Sequence, residues 1–172
     1  MMQWSYDTLL KWGTDELTAH DVENAALDAW YLLEHIYGIS RVDFLMQRSD
    51  SFDAAQMEKS TAYQALIRQR SEGFPVQYLT GSTEFMGLPF LVNEHVLIPR
   101  QDTEVLVETA LSMMKPGCRL LDMCTGSGCI VLSLAKLGTV TWGIGADISE
   151  EALKVAERNR ENLGLSQVKL VH

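Results

Sequence analysis

The segment with the clearest chemical character is a glycine-rich turn between an apolar strand and a helix. It follows Asp122, which lies near the end of a strand-like run. Glycine lets the backbone pass close to a ligand, and the next helix presents unpaired N–H groups in its first turn. A tight strand-to-helix turn without a ligand has the same pattern, so the turn alone is weak evidence. The candidate binding loop comprises Cys124, Thr125, Gly126, Ser127 and Gly128.

A second carboxylate strengthens this interpretation. Asp147 follows the next apolar strand, about twenty residues beyond the turn. An acid at that position can accept hydrogen bonds from both hydroxyls of a ribose. Because the carboxyl ends of parallel strands meet at one edge of a sheet, the turn and Asp147 together predict a nucleoside site.

The spacing around Asp122 narrows the choice of nucleoside. Neither the GxGxxG spacing of dinucleotide folds nor a P-loop is present, and no lysine follows the turn to neutralise a triphosphate. An acid at Asp122 suits a cationic ligand, and S-adenosylmethionine carries an ammonium and a sulfonium. We therefore predict S-adenosylmethionine as the cofactor. The alternative role for Asp122 is to cap the turn.

The elements that must position these groups fall into three parts. Residues 1–74 have apolar positions at helical spacing, with helices predicted from about 22 to 36, 42 to 47 and 53 to 72, and form a helical bundle. Residues 75–100 contain short apolar runs that turn at Gly87 and Leu88, which predicts a β-hairpin linker. From residue 101 onward, helices alternate with apolar strands.

That alternation predicts a parallel sheet with helices on its faces, so the fold class is α/β. The charged run from Glu150 to Glu161 is interpreted as a solvated helix face. The predicted elements are helix 104–114, strand 119–123, helix 130–137, strand 141–147, helix 150–163 and a strand from 168.

The end of the sequence reads as a strand within an unfinished sheet. Only the first half of a doubly wound domain is visible, and about 100 further residues are expected for the second half. The first strand of the sheet would then have an open edge, through which we expect the chain to self-associate.

Composition excludes several classes of protein. The chain has 172 residues, 23 acidic and 14 basic, with a net charge of −9, and the bases are scattered, so direct nucleic-acid binding is not expected. No apolar run is long enough to span a membrane and no secretory signal is visible. The four histidines have no metal-ligand spacing, so no metal is predicted. The three cysteines form no CxxC pair, which predicts buried free thiols and a cytoplasmic location.

Several short motifs carry a resemblance to a known family. They are YLTG at 78–81, EFMG at 84–87, LIPR at 97–100, DTE at 102–104 and LVE at 106–108, followed by the glycine-rich turn. With these motifs the sequence resembles the HemK/PrmC family, the protein-glutamine N(5)-methyltransferases of peptide chain release factors. The resemblance covers nearly the whole chain, and its most specific part is the run from Ile98 to Glu104.

The resemblance implies both an architecture and an activity. Residues 1–74 would recognise the substrate, 75–100 would link the domains, and 101–172 would be part of a class I, Rossmann-like methyltransferase domain. The implied reaction methylates the glutamine of a GGQ motif in release factors. By the same resemblance, residues 124–128 hold the methionine part of the donor and Asp147 holds its ribose. A donor or substrate pocket would include Pro99, Arg100, Thr103 and Glu104.

Two features depart from the family pattern. Cys124 replaces a common glycine, and because a side chain makes a positive φ costly, we expect an ordinary backbone conformation there. The family's NPPY motif, which grips the substrate amide, is absent from the sequence. We therefore assign no catalytic residue and expect this chain to bind the donor at most.

Three other functions remain open at this point. An adenine-directed nucleic-acid methyltransferase can share the NPPY chemistry, because its target amine is also delocalised, although the acidic charge counts against it. The chain by itself can instead act as a non-catalytic protein-binding module. A dinucleotide oxidoreductase would bind NADH at the glycine-rich turn.

Overall fold

The computed structural model describes residues 4–172, which form two compact units. The first unit ends at Thr80 and the second begins at Gly81. The hairpin strands therefore belong to the compact unit that contains the parallel sheet. The functional boundaries at 74/75 and 100/101 remain predictions.

The first unit is helical throughout its described elements. Helix α1 packs against α2 and α4, and the core between them contains fully buried side chains such as Leu9, Leu33 and Ile67. The helices are α1 (Tyr6–Ala19), α2 (Ala25–Tyr37), α3 (Arg41–Gln47), α4 (Ala54–Ser71) and α5 (Val76–Thr80).

Local side-chain bonds explain where these helices begin. Ser5 and Thr8 form a reciprocal capping box at α1, and Asp53 and Gln56 form another at α4. Gly38 follows the last residue of α2 and caps its end in the left-handed conformation at φ 65°. The prediction for α4 is accurate to within a residue at each end, whereas α1 and α5 were not predicted as separate helices.

The second unit begins with a β-hairpin of strands β1 (Ser82–Phe85) and β2 (Leu88–Leu91). The turn residues are Met86 and Gly87, with φ of 55° and 69°, so the predicted turn at Gly87 and Leu88 is one residue too late. Two consecutive residues at positive φ are the geometry of a tight hairpin turn. Phe85 and Phe90 are buried in the core beside the sheet and anchor the hairpin there.

A parallel sheet and three helices complete this unit, and the predicted α/β organisation is confirmed. The sheet order is β3-β4-β5, with both pairs parallel. The strands are β3 (Cys118–Met123), β4 (Val140–Ala146) and β5 (Val168–Val171), and the helices are α6 (Gln101–Met113), α7 (Cys129–Leu137) and α8 (Glu150–Leu163).

The strand register determines what lies at the carboxyl edge of the sheet. Met123 pairs with Ala146, and Ala146 pairs with Val171, so the strands end level with one another. The residues that follow β3 and β4 are consequently neighbours. None of the helices in residues 4–172 is long and apolar enough to cross a bilayer.

A substitution at Gly13 tests the packing of the first unit. A Cβ atom at Gly13 would lie 2.1 Å from the hydroxyl oxygen of Tyr63, which is fully buried and donates to the Ala29 carbonyl. We expect Gly13→Ala to lower the free energy of unfolding by about 1–3 kcal/mol, measured by urea denaturation. Thr18→Ala, at an exposed position of the same helix, is the control. If Gly13→Ala and the wild type unfold with the same midpoint urea concentration, this packing is contradicted.

Candidate functional site

The backbone of the glycine-rich turn passes repeatedly through the left-handed region. Cys124, Gly126 and Gly128 have φ of 62°, 55° and 81°. The expectation of an ordinary conformation at Cys124 is therefore wrong. A non-glycine residue in this region costs about 1–3 kcal/mol and persists only where surrounding contacts impose it.

Those surrounding contacts come from the end of strand β4. The Thr125 amide donates to the Ala146 carbonyl at 2.9 Å, and the Gly126 amide donates to Asp147 Oδ2 at 2.8 Å. Asp147 Oδ1 also accepts from the Ser149 amide at 3.0 Å, just before helix α8. The carboxylate of Asp147 thus connects the turn after β3 to the start of α8.

The other acid, Asp122, faces inward at the start of helix α7. Thr125 Oγ1 donates to Asp122 Oδ2 at 2.7 Å. Burial raises the pKa of the Asp122 carboxyl, and repulsion from Asp147 adds to this, although hydrogen bonds from Thr125 and the Val131 backbone oppose the increase. Asp122 therefore does cap the turn. Its charge is also available to a cationic ligand, because the side chain is only partly buried.

The side chains of the turn face different directions. Thr125 and Ser127 are 5% and 2% exposed, so their hydroxyls point into the protein. Cys124 is exposed, contrary to the prediction of buried thiols, and Cys118 and Cys129 are only partly buried. A Cβ atom at Gly126 would meet nothing within 4 Å, so the backbone there is open to a ligand. The accessible side of the turn thus consists of Cys124 and the Gly126 backbone.

Gly145, a residue that sequence reasoning missed, makes room for the turn. A Cβ atom at Gly145 would lie 2.9 Å from Thr125 Oγ1 and 3.0 Å from Leu170 Cδ2. The absence of a side chain near the carboxyl end of β4 therefore allows Thr125 to reach Asp122. A glycine inside an apolar strand is the signal that was available.

Asn159 on helix α8 is the second missed residue, and it is fully buried. Its Nδ2 donates to the Ser127 carbonyl at 2.9 Å, within the glycine-rich turn. The interpretation of 150–161 as a solvated face is therefore wrong at this position. Asn159 lies at helical spacing from the buried Val155, Ala156 and Leu163, which was the signal in the sequence.

The residues of the predicted second pocket lie at the start of helix α6. Arg100 is exposed, while Pro99, Thr103 and Glu104 are partly buried. Glu104 Oε1 accepts from the Met86 amide at 2.5 Å, so this carboxylate holds the hairpin turn. Helix α6 packs against α7, which follows the glycine-rich turn. A ligand-binding role for these four residues remains a prediction.

No cluster of histidine, cysteine or acidic side chains suited to a metal ion occurs within residues 4–172.

Comparison with known proteins finds a family match in each unit. The PrmC N-terminal domain profile matches residues 8–81, and a methyltransferase domain profile matches residues 114–172. The second match confirms that the sheet is part of a Rossmann-like methyltransferase fold.

Individual relatives are similar along most of this chain. A release factor glutamine methyltransferase of Rhodopirellula baltica is 39% identical, covering 95% of this chain and 56% of that protein. The Geobacter sulfurreducens protein of that name is 38% identical, covering 94% and 56%, and the Escherichia coli protein is 37% identical, covering 87% and 53%. The chain therefore spans a little over half the length of these relatives.

The raised pKa of Asp122 predicts a pH-dependent effect of its removal. A raised pKa means that the folded state favours the protonated acid, so ionisation destabilises the fold once the pH exceeds the unfolded value of about 3.9. We measure the free energy of unfolding by urea denaturation and subtract the wild-type value from that of Asp122→Asn. We expect this difference to be more positive near pH 7 than near pH 3.

Asp50→Asn, at an exposed position of the first unit, controls for the loss of one negative charge. An equal difference between Asp122→Asn and wild type at both pH values would show that burial does not disfavour the charged form of Asp122.

Proposed function

We propose that this chain binds S-adenosylmethionine and takes part in the methylation of release factors. Its resemblance to the HemK/PrmC family is confirmed. The target is the side-chain nitrogen of glutamine in the GGQ motif. The names of the matched relatives favour this function over adenine-directed methylation. The partner is accordingly a peptide chain release factor in the cytoplasm, without direct contact between this chain and nucleic acid.

The observation that carries the donor site is the hydrogen bond between the Gly126 amide and Asp147 Oδ2. It brings the glycine-rich turn and the acid after β4 onto one surface at the carboxyl edge of the sheet. Ligands of open α/β sheets bind at that edge. The same contact leaves the Gly126 backbone open on its other side.

The groups present fit the donor's chemistry. Each oxygen of Asp147 accepts one backbone amide, and a carboxylate has about four acceptor sites, so two remain for the ribose hydroxyls. Asp122 supplies negative charge toward the ammonium of the donor. The exposed edge of residues 124–128 would contact its methionine part.

When bound, S-adenosylmethionine supplies an electrophilic methyl group. An amide nitrogen is a weak nucleophile because its lone pair is delocalised, so catalysis rests mainly on holding the two reactants in line. The role of this chain's residues is therefore orientation. Asp147 and the glycine-rich turn hold the donor, and the segment from Pro99 to Glu104 borders the entrance for glutamine.

The domain roles follow the same proposal. Residues 1–74 recognise the release factor, and residues 101–172 carry the donor site. Residues 75–100 are the linker between these two domains. The compact helical core of the first unit supports a recognition domain with its own stable surface.

Donor binding to the 172-residue chain tests the proposal. We expect S-adenosylhomocysteine to bind in isothermal titration calorimetry and NADH not to bind. Asp147→Asn should weaken binding by at least about tenfold, because charge-assisted hydrogen bonds contribute about 1.5–3 kcal/mol. Asp50→Asn is the matched control and should bind like wild type.

Absence of S-adenosylhomocysteine binding at saturating concentration would reject the donor site. Equal affinities of Asp147→Asn and wild type would reject the role of Asp147. Capture of a purified release factor by the chain tests the partner separately, and failure of that capture would count against substrate recognition by residues 1–74.

We also propose that a second copy of this chain packs on the open edge and face of strand β3. Parallel sheets are normally covered on both faces. Leu121, Met123 and Trp142 are 67%, 66% and 40% exposed on one face of the sheet, and β4 is the only strand that pairs with β3 in the described chain. An apolar face of this kind favours association.

Analytical ultracentrifugation over a range of concentrations tests this association. We expect a dimer that dissociates when Leu121→Lys and Met123→Lys are combined. The control combines Val42→Lys and Leu45→Lys, which are 66% and 65% exposed on α3. A wild-type monomer at every concentration, or equal dissociation by the control, would contradict the proposal.

A further inference from the structure

The side-chain amide of Asn159 forms hydrogen bonds with two separate parts of the structure, the glycine-rich turn and strand β2. Besides the bond to Ser127, Nδ2 donates to the Leu91 carbonyl at 3.0 Å, and Oδ1 accepts from the Leu91 amide at 2.7 Å. Both polar groups of the Leu91 backbone are therefore paired with a single side chain. Strand β2 of the hairpin and the glycine-rich turn are thus joined through one fully buried residue on α8.

The chemistry of this position is specific to an amide. The two carbonyls need donors and the Leu91 N–H needs an acceptor, and an asparagine side chain supplies both. An aspartate of the same shape would keep the acceptor but turn a negative oxygen toward a carbonyl. A leucine would leave all three backbone groups without this partner. Leaving buried polar groups without hydrogen bonds lowers the free energy of unfolding substantially.

The hairpin has a second attachment at its other end. The Met86 amide, in the hairpin turn, donates to Glu104 on the first turn of α6. The hairpin therefore lies between the glycine-rich turn, through Asn159, and the segment 99–104, through Glu104. These contacts form a continuous path of hydrogen bonds and short backbone segments.

We propose that Asn159 is a positioning residue that couples the hairpin to the glycine-rich turn. When a ligand orders the turn, the hairpin and the attached start of α6 become ordered as well. The ligand-dependent part of this coupling rests on the proposed donor site. The coupling between Ser127 and Leu91 in the free chain does not, so the two can be tested apart.

The first test compares amide hydrogen exchange in the free chain. Asn159→Asp should lower protection by at least about tenfold in both the hairpin, 82–91, and the turn, 124–128. Asn162→Asp, the same change at an exposed position of the same helix, is the matched control and should leave both segments unchanged. Loss of protection in only one of the segments, or none in either, would overturn the coupling.

The pH dependence separates a hydrogen-bonding role from simple packing. In Asn159→Asp, protonation of the new carboxyl restores one donor, so protection factors should recover toward wild type at low pH. A defect of packing alone would be the same at low and neutral pH, and that result would overturn the proposal. If Asn159→Asp does not fold, Asn159→Ser is used instead, because its short hydroxyl cannot span both carbonyls.

The second test adds S-adenosylhomocysteine to the wild-type chain and to Asn162→Asp. We expect protection to increase in the turn and, through Asn159, in the hairpin. Protection of the turn without any change in the hairpin would overturn the coupling. Failure of the compound to bind at all would reject the proposed function, while the exchange result on the free chain would still decide the role of Asn159.

Discussion

The site depends on one constraint, which is that strands β3 and β4 end at the same level. Because Met123 pairs with Ala146, the chain leaving β3 must turn directly beside the residues that follow β4. The amides of that turn need partners, and the Ala146 carbonyl and Asp147 provide them. The left-handed conformation of Cys124 is held by these bonds. Without the level strand ends, the turn would have no partner of this kind.

Several polar side chains of the second unit converge on this turn. Asp147, just after β4, accepts from the Gly126 amide, and Asp122 on β3 accepts from the Thr125 hydroxyl. Asn159 on α8 donates to the Ser127 carbonyl. Each of these side chains is paired with backbone or with another side chain, which is what burial of polar groups requires. A turn restrained from three sides keeps its backbone in place, and preorganisation of this kind favours ligand binding.

Two carboxylates near one another also set the electrostatics of the site. Burial of the Asp122 carboxyl raises its pKa, and repulsion from the negative charge of Asp147 adds to this increase. Two acids held close together disfavour anionic ligands and favour a cationic one. A positive charge is what the proposed sulfonium donor carries, and such a ligand needs no basic residue in the turn.

The sequence by itself determined the pattern of elements and the candidate loop. Helix α8 and strand β4 follow from periodicity, and the glycines of the turn with Asp147 follow from motif spacing. The tertiary structure alone decided the rest. Contacts between residues far apart in sequence set the φ of Cys124 and the inward direction of Thr125. They also set the hydrogen bond from the Met86 amide to Glu104 and the hydrogen bonds of Asn159. Periodicity reports which face of an element is apolar, but the pairing of a buried polar group depends on which backbone atoms the fold brings next to it.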